Sequence, residues 1–417
     1  MDHRIPAQEA ELSEFVIRGA RALLPGGFEA VDVAVSDGRI AALDMAGNLP
    51  VVDGRGLIVA PALVDVHGDA FERQVMPRDG VFVPLETALM DTDRQLAANG
   101  IATAYHALTL GWEPGLRSVE RGAAFVDGLA AAAPRLTVEN RVQLRWETFA
   151  FEALPLIERA LVGPLTPSLA FNDHTSMAMR AFGSPVQARG FELSPDFETA
   201  SLDDARLKQR TAKYARRSGL EDDAYVALLG QVWARRGEVP ETIRALAGKA
   251  AAAGAPMLSH DDTTAETRAF YRGVGARTAE FPMTLEAAEA ARAAGDALIF
   301  GAPNAMRGGS HINSLAAGEM VEAGLCDALA SDYFYPAMHA ALARLDHERR
   351  ADRAALWRLV SEGPARAMGL ADRGRIAVGL RADLVLVDWP EAAAPAIRAT
   401  WVAGRAAYAA KPMGAAA

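Results

Sequence analysis

Six side chains that could bind a metal ion or move a proton follow short apolar runs of this sequence. They are His67, Asp69, Glu147, His174, His260 and Asp332. A mixed set of imidazole nitrogens and carboxylate oxygens suits Zn²⁺, Mn²⁺ or Fe²⁺ better than Ca²⁺. The sequence therefore predicts a divalent metal centre with one or two ions, zinc being the first choice and manganese or iron the alternatives.

Histidine and aspartate stand close together at three places. His67 and Asp69, in VDVHGD, are two residues apart and so share one face of an extended segment, although a capped turn explains the pair equally well. His174 and His260, in NDHT and SHDD, end two consecutive runs. Acids beside these histidines are expected to orient the imidazoles by hydrogen bonds. The predicted orienting residues are Asp173, Asp261 and Asp262, of which Asp262 could instead cap a helix.

Glu147, in LRWET, is predicted to bridge the cations if the site holds two. In barrel enzymes with two metal ions, a carboxylated lysine is often the residue that bridges them, but no lysine of this chain ends an apolar run. The four lysines are Lys208, Lys213, Lys249 and Lys411. Arg145 precedes Glu147 by two residues and is predicted to bind substrate, with a buried Arg145–Glu147 pair as the alternative.

Asp332, in ASDY, is predicted to be both a metal ligand and the catalytic base. A divalent metal can lower the pKa of a bound water to about 7. A carboxylate beside that water can accept its proton and later return it to the leaving group. A helix N-cap is the alternative role, which Pro336 makes less favourable.

The segment GAPNAMRGGSH is predicted to contact an oxyanion or phosphate. Its glycines would let backbone N–H groups approach an anion, and two side chains add further donors. The residues concerned are Arg307, Gly308, Gly309 and His311. A tight turn alone would also explain the two glycines.

A scaffold for these side chains must bring the ends of many strands together. We count eight apolar runs, most of them separated by stretches with helical spacing, as expected for alternating strands and helices. The runs are 57–69, 101–109, 142–149, 168–175, 256–262, 277–283, 297–304 and 328–334. Eight such units predict a (β/α)8 TIM barrel, whose active site lies at the carboxyl ends of the strands. An open doubly wound sheet is the alternative, but its reactive residues would gather at one switch point.

Both ends of the chain are rich in short β-branched runs broken by glycine. We therefore predict a small β-sandwich domain from residues 1–56 and 371–417, and a barrel over 57–370. The connection 176–255 is too long for a simple loop and predicts a helical insertion. Within it, the basic run 206–217 is either a solvated helix face or a substrate-facing one.

The composition narrows the classes of partner. The 417 residues carry a net charge of −10, which argues against nucleic-acid or anionic-membrane binding but still allows a small anionic substrate. A single cysteine, Cys326, excludes a disulfide framework and fits a cytoplasmic protein. We see no signal peptide and no apolar run long enough to span a bilayer. A homodimer is possible.

The ordered motifs LRWE, NDHT, LSHDDTT, AEFPMTLEAA, GAPNAMRGGSH and LASDYFYPA make the sequence familiar. With APALVDVHGD and the closing GRIAVGLRADLVLVD, nearly the whole chain resembles the amidohydrolase superfamily. Within it, the motifs are similar to the α-D-ribose 1-methylphosphonate 5-triphosphate diphosphatases of phosphonate degradation. The resemblance implies hydrolysis of a triphosphate to a 5-phosphate with release of diphosphate.

The resemblance also places the six residues named first on the family's metal and catalytic positions. Glu280 stands where many superfamily members have a metal-binding histidine, and its role here is left open. Two departures are present. Trp146 replaces the cysteine of the family's RCE motif, and SMAMRAFGSP follows His174 in place of a glycine-containing, polar run.

Besides phosphoanhydride hydrolysis, two further functions remain as alternatives. A phosphoanhydride hydrolase predicts cations near the metals, namely Arg307, Arg73, Arg78 and those of the 206–217 run. A hydrolase of C–N bonds in cyclic amides or acyl amines predicts a more apolar pocket, consistent with Trp146, Met177 and Met179. The second alternative is a binding barrel without catalysis.

Overall fold

A computed structural model describes residues 14–44, 48–310, 314–391 and 393–410 of the chain. Across these residues the chain forms three β-sheets of four, eight and six strands. The eight-stranded sheet is the barrel, and the other two belong to the chain ends. The predicted combination of a TIM barrel with a small terminal β-sandwich is confirmed.

The amino-terminal segment contains only short strands, because glycine and aspartate interrupt its β-branched runs. The strands are β1 Phe15–Arg18, β2 Arg21–Leu24, β3 Gly27–Ala30, β4 Val33–Ser36, β5 Arg39–Leu43, β6 Val51–Asp53 and β7 Ile58–Pro61. The four-stranded sheet has the order β5-β4-β1-β6.

Eight parallel strands form the barrel, and each falls within or overlaps one of the eight predicted runs. They are β8 Leu63–Gly68, β9 Ile101–Leu110, β10 Glu139–Glu147, β11 Ser168–Asn172, β12 Met257–His260, β13 Thr278–Glu280, β14 Ala297–Gly301 and β15 Ala328–Ala330. Their order follows the sequence, which excludes the doubly wound alternative. Strand β9 is buried along all ten residues, as expected for a parallel strand covered on both faces.

Fifteen α-helices lie between and after the barrel strands in the described residues. They are α1 Glu72–Val75, α2 Leu85–Ala98, α3 Val119–Ala132, α4 Leu154–Leu161, α5 His174–Met179, α6 Ala205–Ser218, α7 Asp222–Trp233, α8 Val239–Ala252, α9 Ala265–Gly273, α10 Leu285–Ala293, α11 Ala302–Arg307, α12 Ala317–Glu322, α13 Ala337–His347, α14 Arg353–Arg358 and α15 Glu362–Ala367. Hydroxyl side chains cap several of them; for example, Thr264 accepts from the Thr267 amide at the start of α9. No helix in the described residues is long and apolar enough to cross a bilayer.

The long connection between β11 and β12 contains α5 to α8. Met179, Leu207, Val226 and Leu229 form a separate hydrophobic cluster with Ala178, so α6 and α7 have a small core of their own. Helix α8 instead packs, through residues such as Ile243, into a hydrophobic cluster that includes residues of barrel strands β9, β10 and β11. The inserted part of 176–255 therefore ends before α8.

The terminal domain is completed by three carboxyl-terminal strands, β16 Leu384–Asp388, β17 Ala396–Val402 and β18 Arg405–Ala409. They join β2, β3 and β7 in a six-stranded sheet of order β18-β17-β16-β7-β2-β3. Strand β7 pairs with β16 and β2 and not with a barrel strand. The barrel therefore begins at Leu63, six residues after the predicted boundary at 57.

The barrel closes through a parallel bridge between Gly68, at the end of β8, and Asp332, just after β15. The Asp332 amide donates to the His67 carbonyl at 2.9 Å, and the Asp69 amide donates to the Asp332 carbonyl at 2.9 Å. Closure of the barrel thus brings together residues more than 260 positions apart in sequence.

Candidate metal centre

Three residues beside the closing bridge form the first group of possible metal ligands. His67, Asp69 and Asp332 each offer one ligand atom, and these atoms lie within 4.8 Å of one another. Asp332 has a φ of 53°, a left-handed backbone that is uncommon outside glycine and that concentrates at functional sites. The predicted proximity of these three residues agrees with the structure.

A second group lies at the ends of β11 and β12. His174, His260 and Asp261 also offer ligand atoms within 4.8 Å of one another. Asp261 Oδ2 lies 3.6 Å from His260 Nε2 and 4.0 Å from His174 Nε2. Asp261 has a φ of 62°, so its backbone is strained like that of Asp332. It was expected to stand behind the imidazoles, but it lies within ligand distance beside them.

Glu280, at the end of β13, contacts one histidine of each group. Its Oε1 lies 3.0 Å from His67 Nδ1, and its Oε2 lies 2.8 Å from His260 Nδ1. The Gln143 amide donates to Oε1 at 2.8 Å, and the Glu280 side chain is fully buried. Burial opposes ionisation, yet the two imidazoles outweigh it and hold the pKa of Glu280 well below its usual range. Glu280, whose role the sequence left open, forms with His67 and His260 a third group whose ligand atoms lie within 4.8 Å of one another, and its contacts with their Nδ1 atoms favour a role in orienting both imidazoles.

Glu147 orients the third histidine. Its Oε1 lies 2.5 Å from His174 Nδ1, and its Oε2 accepts from the His174 amide at 3.1 Å. Burial opposes ionisation, but the His174 ring and the nearby Arg145 outweigh it and lower the pKa of Glu147 to about 2. Bridging of two cations by Glu147 remains a prediction.

The other two acids predicted to orient imidazoles make different contacts. Asp173 caps α5 by accepting from the Ser176 amide and hydroxyl, both at 2.7 Å. Asp262 accepts from the Ser259 hydroxyl at 2.5 Å and pairs with Arg268 at 3.2 Å. Neither carboxylate forms a hydrogen bond with a histidine among the described residues, so these contacts do not support the orienting role predicted for Asp173 and Asp262.

Arg145 lies between the two ligand groups. Its Nη2 is 2.8 Å from His260 Nε2, and its Nη1 is 3.8 Å from Asp69 Oδ2. With the Asn172 amide turned so that its oxygen faces the guanidinium, that oxygen accepts from Arg145 Nε at 2.7 Å. Binding of a metal by His260 Nε2 therefore requires this guanidinium to turn aside.

Two observations indicate that these donor atoms fit a divalent metal ion. Burial and the neighbouring Asp69 carboxylate raise the pKa of Asp332 to about 7, and a cation between these two carboxylates would remove their repulsion. Glu280 and Glu147 contact the Nδ1 atoms of the histidines, which leaves the Nε2 atoms for metal. A carboxylate behind a ring nitrogen is the usual support of a metal-binding histidine.

Two cavities open at this end of the barrel and share Phe281 and Asp332 in their linings. The larger, which we call the α6 cavity, has a volume of about 370 Å³. It is lined by His67, Asp69 and Asp332 of the first ligand group, by His174 and His260 of the second, and by Lys213, Tyr214 and Arg217 of α6. The basic run 206–217 therefore presents part of its face to the candidate site.

The smaller cavity, which we call the α11 cavity, has a volume of about 150 Å³ and contains Arg307. The Gly308 and Gly309 amides donate to the Asn304 carbonyl at 3.1 and 3.0 Å and so end helix α11. Both amides are therefore already used, and the expected anion contact from them is not supported. His311 lies outside the described residues.

Arg73 and Arg78 were also expected near the metals. Arg73 donates to the Tyr333 carbonyl at 2.5 Å, beside a cavity formed by α1 and α2. Neither arginine lines the α6 or the α11 cavity. The cations of the site come instead from Arg117, Arg145, Arg307 and helix α6.

The insertion is fastened to the site by Arg189. This side chain is 4% exposed, pairs through Nε with Glu192 at 2.6 Å, and donates through Nη2 to the Asp261 carbonyl at 2.6 Å. Arg189 therefore holds the strained backbone of Asp261 from the side of the insertion.

Replacing Arg189 with methionine is expected to lower the free energy of unfolding by about 3–5 kcal/mol, because Glu192 is left buried without its partner. The double variant Arg189→Met/Glu192→Gln should recover part of this loss. Urea denaturation measures both. Arg206→Met is the control, since its pair with Asp204 is exposed. Equal losses in the single and double variants would contradict a buried charge pair.

Comparisons with known proteins agree with this architecture. A family model described as "Amidohydrolase family" matches residues 86–408. The α-D-ribose 1-methylphosphonate 5-triphosphate diphosphatase of Escherichia coli (strain K12) is 31% identical over 378 residues, covering 89% of this chain and 94% of the relative.

Solved structures extend the likeness in fold. A structure of molinate hydrolase aligns with a TM-score of 0.60 at 14% identity and covers 95% of both chains. A D-hydantoinase aligns with a TM-score of 0.60 at 12% identity, covering 94% of this chain and 95% of that one.

Proposed function

The chain belongs to the amidohydrolase family, and from that membership we propose that it hydrolyses a phosphoanhydride bond of α-D-ribose 1-methylphosphonate 5-triphosphate or a related phosphorylated compound. The reaction releases diphosphate and serves phosphonate catabolism. As a member of this family the chain is a hydrolase, so a binding barrel without catalysis is not kept as an alternative.

The observation that carries the proposal is the charge of the α6 cavity. Four cationic side chains line it beside the candidate metal ligands: Arg117, Arg145, Lys213 and Arg217. Four carboxylates, those of Asp69, Glu113, Glu147 and Asp332, line the cavity as well, so the lining becomes net positive once a divalent ion is bound. It then suits an anionic substrate, because positive groups in a cleft raise the local concentration of anions. The polar donors missing from the segment after His174 are thus replaced by side chains of helix α6.

We assign the metal ligands by the two groups described above. His67, Asp69 and Asp332 form one set, and His174, His260 and Asp261 form the other. One or two divalent ions would be held, with zinc first and manganese or iron as alternatives. When bound, the metal polarises the phosphoryl oxygen and lowers the pKa of the attacking water.

Asp332 is the proposed general base. In the reaction the oxygen of water forms a bond to the α-phosphorus, and the bond from that phosphorus to the bridging oxygen breaks. Diphosphate leaves with the electron pair, and the Asp332 carboxylate takes the water's proton. Arg145, once a metal on His260 Nε2 has turned its guanidinium aside, would stabilise charge on the phosphoryl oxygens.

Cleavage of a C–N bond is the competing proposal. It was favoured by apolar residues expected around the substrate. Trp146 is instead fully buried, with Nε1 donating to the Ala150 carbonyl at 3.0 Å, and Met179 belongs to the core of the insertion. Neither lines the α6 cavity, and Met177 does not line it either. The three residues on which the C–N alternative was based therefore do not form a substrate pocket here.

A substrate panel tests the proposal. Metal-loaded protein should be incubated with ribose and nucleoside 5-triphosphates and, in parallel, with cyclic amides and acyl amines. Release of diphosphate and release of acid or amine are measured separately. We expect diphosphate from the triphosphates only. Amide cleavage without diphosphate release would replace the phosphoanhydride proposal with the C–N one.

Removal of metal is expected to abolish turnover. Dialysis against a chelator should lower the rate at least about 100-fold, because the water then keeps its high pKa. Adding back Zn²⁺, Mn²⁺ or Fe²⁺ singly identifies the ion that restores activity. Circular dichroism before and after dialysis verifies that the fold persists. Full activity in protein shown by elemental analysis to be metal-free would contradict the assignment.

A further inference from the structure

Helix α6 contributes one cation to the α6 cavity that other side chains leave unpaired. Arg217 pairs with Glu113, and Arg117 forms two hydrogen bonds of 2.9 Å with Glu72. Lys213 is exposed and lies 4.7 Å from the ring of Tyr214. Within the described parts of the chain Lys213 has no ion-pair partner, so its charge is available to a ligand.

The α11 cavity contains a comparable group. Arg307 is exposed and has no ion-pair partner among the described residues. Because both cavities include Asp332 and Phe281 in their linings, the two available cations stand in separate spaces that meet at the proposed general base. A ligand in contact with both cations would pass across Asp332.

The volumes of the two cavities indicate which part of such a ligand each cavity can hold. About 370 Å³ falls within the range of roughly 300–1,000 Å³ that holds an organic ligand of ordinary size. About 150 Å³ is below that range and suits only a compact group. The larger space also has aromatic walls, including Trp112 and Tyr225 with ring centroids 5.4 Å apart, against which a sugar ring can pack.

We propose that a substrate with anionic groups at both ends lies across Asp332. Its leaving diphosphate enters the α11 cavity beside Arg307, and its sugar and second anionic group enter the α6 cavity beside Lys213. This orientation rests on the proposed function. It makes Lys213 a residue that determines specificity for the anionic group remote from the scissile bond.

Three variants and two substrates test the orientation. The variants are Lys213→Met, Arg307→Met and the control Lys208→Met, which lies on the same helix but pairs with Asp223. The substrates are α-D-ribose 1-methylphosphonate 5-triphosphate and ribose 5-triphosphate, which lacks the phosphonate. Lys213→Met should raise KM for the first substrate about 10–100-fold, the loss expected for one charge-assisted hydrogen bond, with little change in kcat.

The preference of the wild-type protein for the phosphonate-bearing substrate should fall by the same factor in Lys213→Met and persist in Lys208→Met. Arg307→Met should raise the inhibition constant of inorganic diphosphate about 10-fold or more. Lys213→Arg should restore most of the preference. An equal rise in KM for both substrates in Lys213→Met would overturn the assignment, and so would weaker diphosphate inhibition in Lys213→Met than in Arg307→Met.

Failure of the proposed function itself gives a different result. If the wild-type protein hydrolyses neither triphosphate, the reaction is wrong, and the orientation is then judged by calorimetric binding to metal-loaded protein. Methylphosphonate should lose affinity in Lys213→Met, and diphosphate should lose affinity in Arg307→Met. Loss of neither would overturn the orientation independently of turnover.

Discussion

Asp332→Asn is expected to lower kcat about 10²–10⁴-fold, the range that a positioned general base contributes. The asparagine amide has nearly the shape of the carboxylate but cannot accept the proton of the attacking water. The backbone contacts of residue 332 with His67 and Asp69 do not involve its side chain, so the barrel should remain closed. Steady-state kinetics on the substrate that the panel identifies measures the loss.

Metal content separates the two roles of this side chain. If the variant retains the wild-type metal content and still loses kcat, Asp332 acts on the proton. If metal is lost, restoring it at high concentration should recover the occupancy but not the rate. Asp203→Asn, at an exposed position of the insertion, is the control and should retain full activity. Unchanged turnover in Asp332→Asn would remove the proposed base.

The fold followed from the sequence because parallel barrel strands are buried on both faces and therefore stand out as continuous apolar runs. Strand β9, which is buried throughout, is the clearest example. The displaced start of the barrel has the same cause. Ile58–Pro61 is as apolar as the barrel strand after it, yet it pairs with β16 from the other end of the chain. Periodicity within one segment cannot reveal a partner more than 300 residues away.

The candidate site likewise contains residues that the sequence predicts and residues that it does not. Residues that end strands were found, because the carboxyl ends of barrel strands must meet. The acids that orient the imidazoles could not be identified in this way, because an acid adjacent to a histidine in sequence need not lie beside its ring in space. His260 aligns with Glu280 on the adjacent strand, whereas Asp262, two residues further along the chain, points to Arg268. The role of Lys213 required the position of a whole inserted helix, which spacing alone does not give.

Glu280 is the orienting residue whose loss should matter most. It is the fully buried carboxylate that contacts Nδ1 of both His67 and His260, one from each ligand group. Oε2 is hydrogen-bonded to the His260 ring, and Oε1, which accepts from Gln143, lies 3.0 Å from the His67 ring, so a neutral amide of the same shape can serve only one of the two rings. The other ring would face an N–H₂ donor and would have to change tautomer or turn, which withdraws its Nε2 from the metal.

Glu280→Gln is therefore expected to weaken metal binding about 10–100-fold, the usual effect of losing such a supporting carboxylate. Competition with a chelating indicator measures the affinity, and thermal unfolding shows that the protein is folded. Glu286→Gln, on the exposed face of α10, is the matched control and should bind metal as the wild type does. Since Glu280 is not proposed to touch substrate, saturating metal should restore most of the rate. Wild-type affinity in Glu280→Gln would show that the two histidines bind no metal or need no carboxylate to do so.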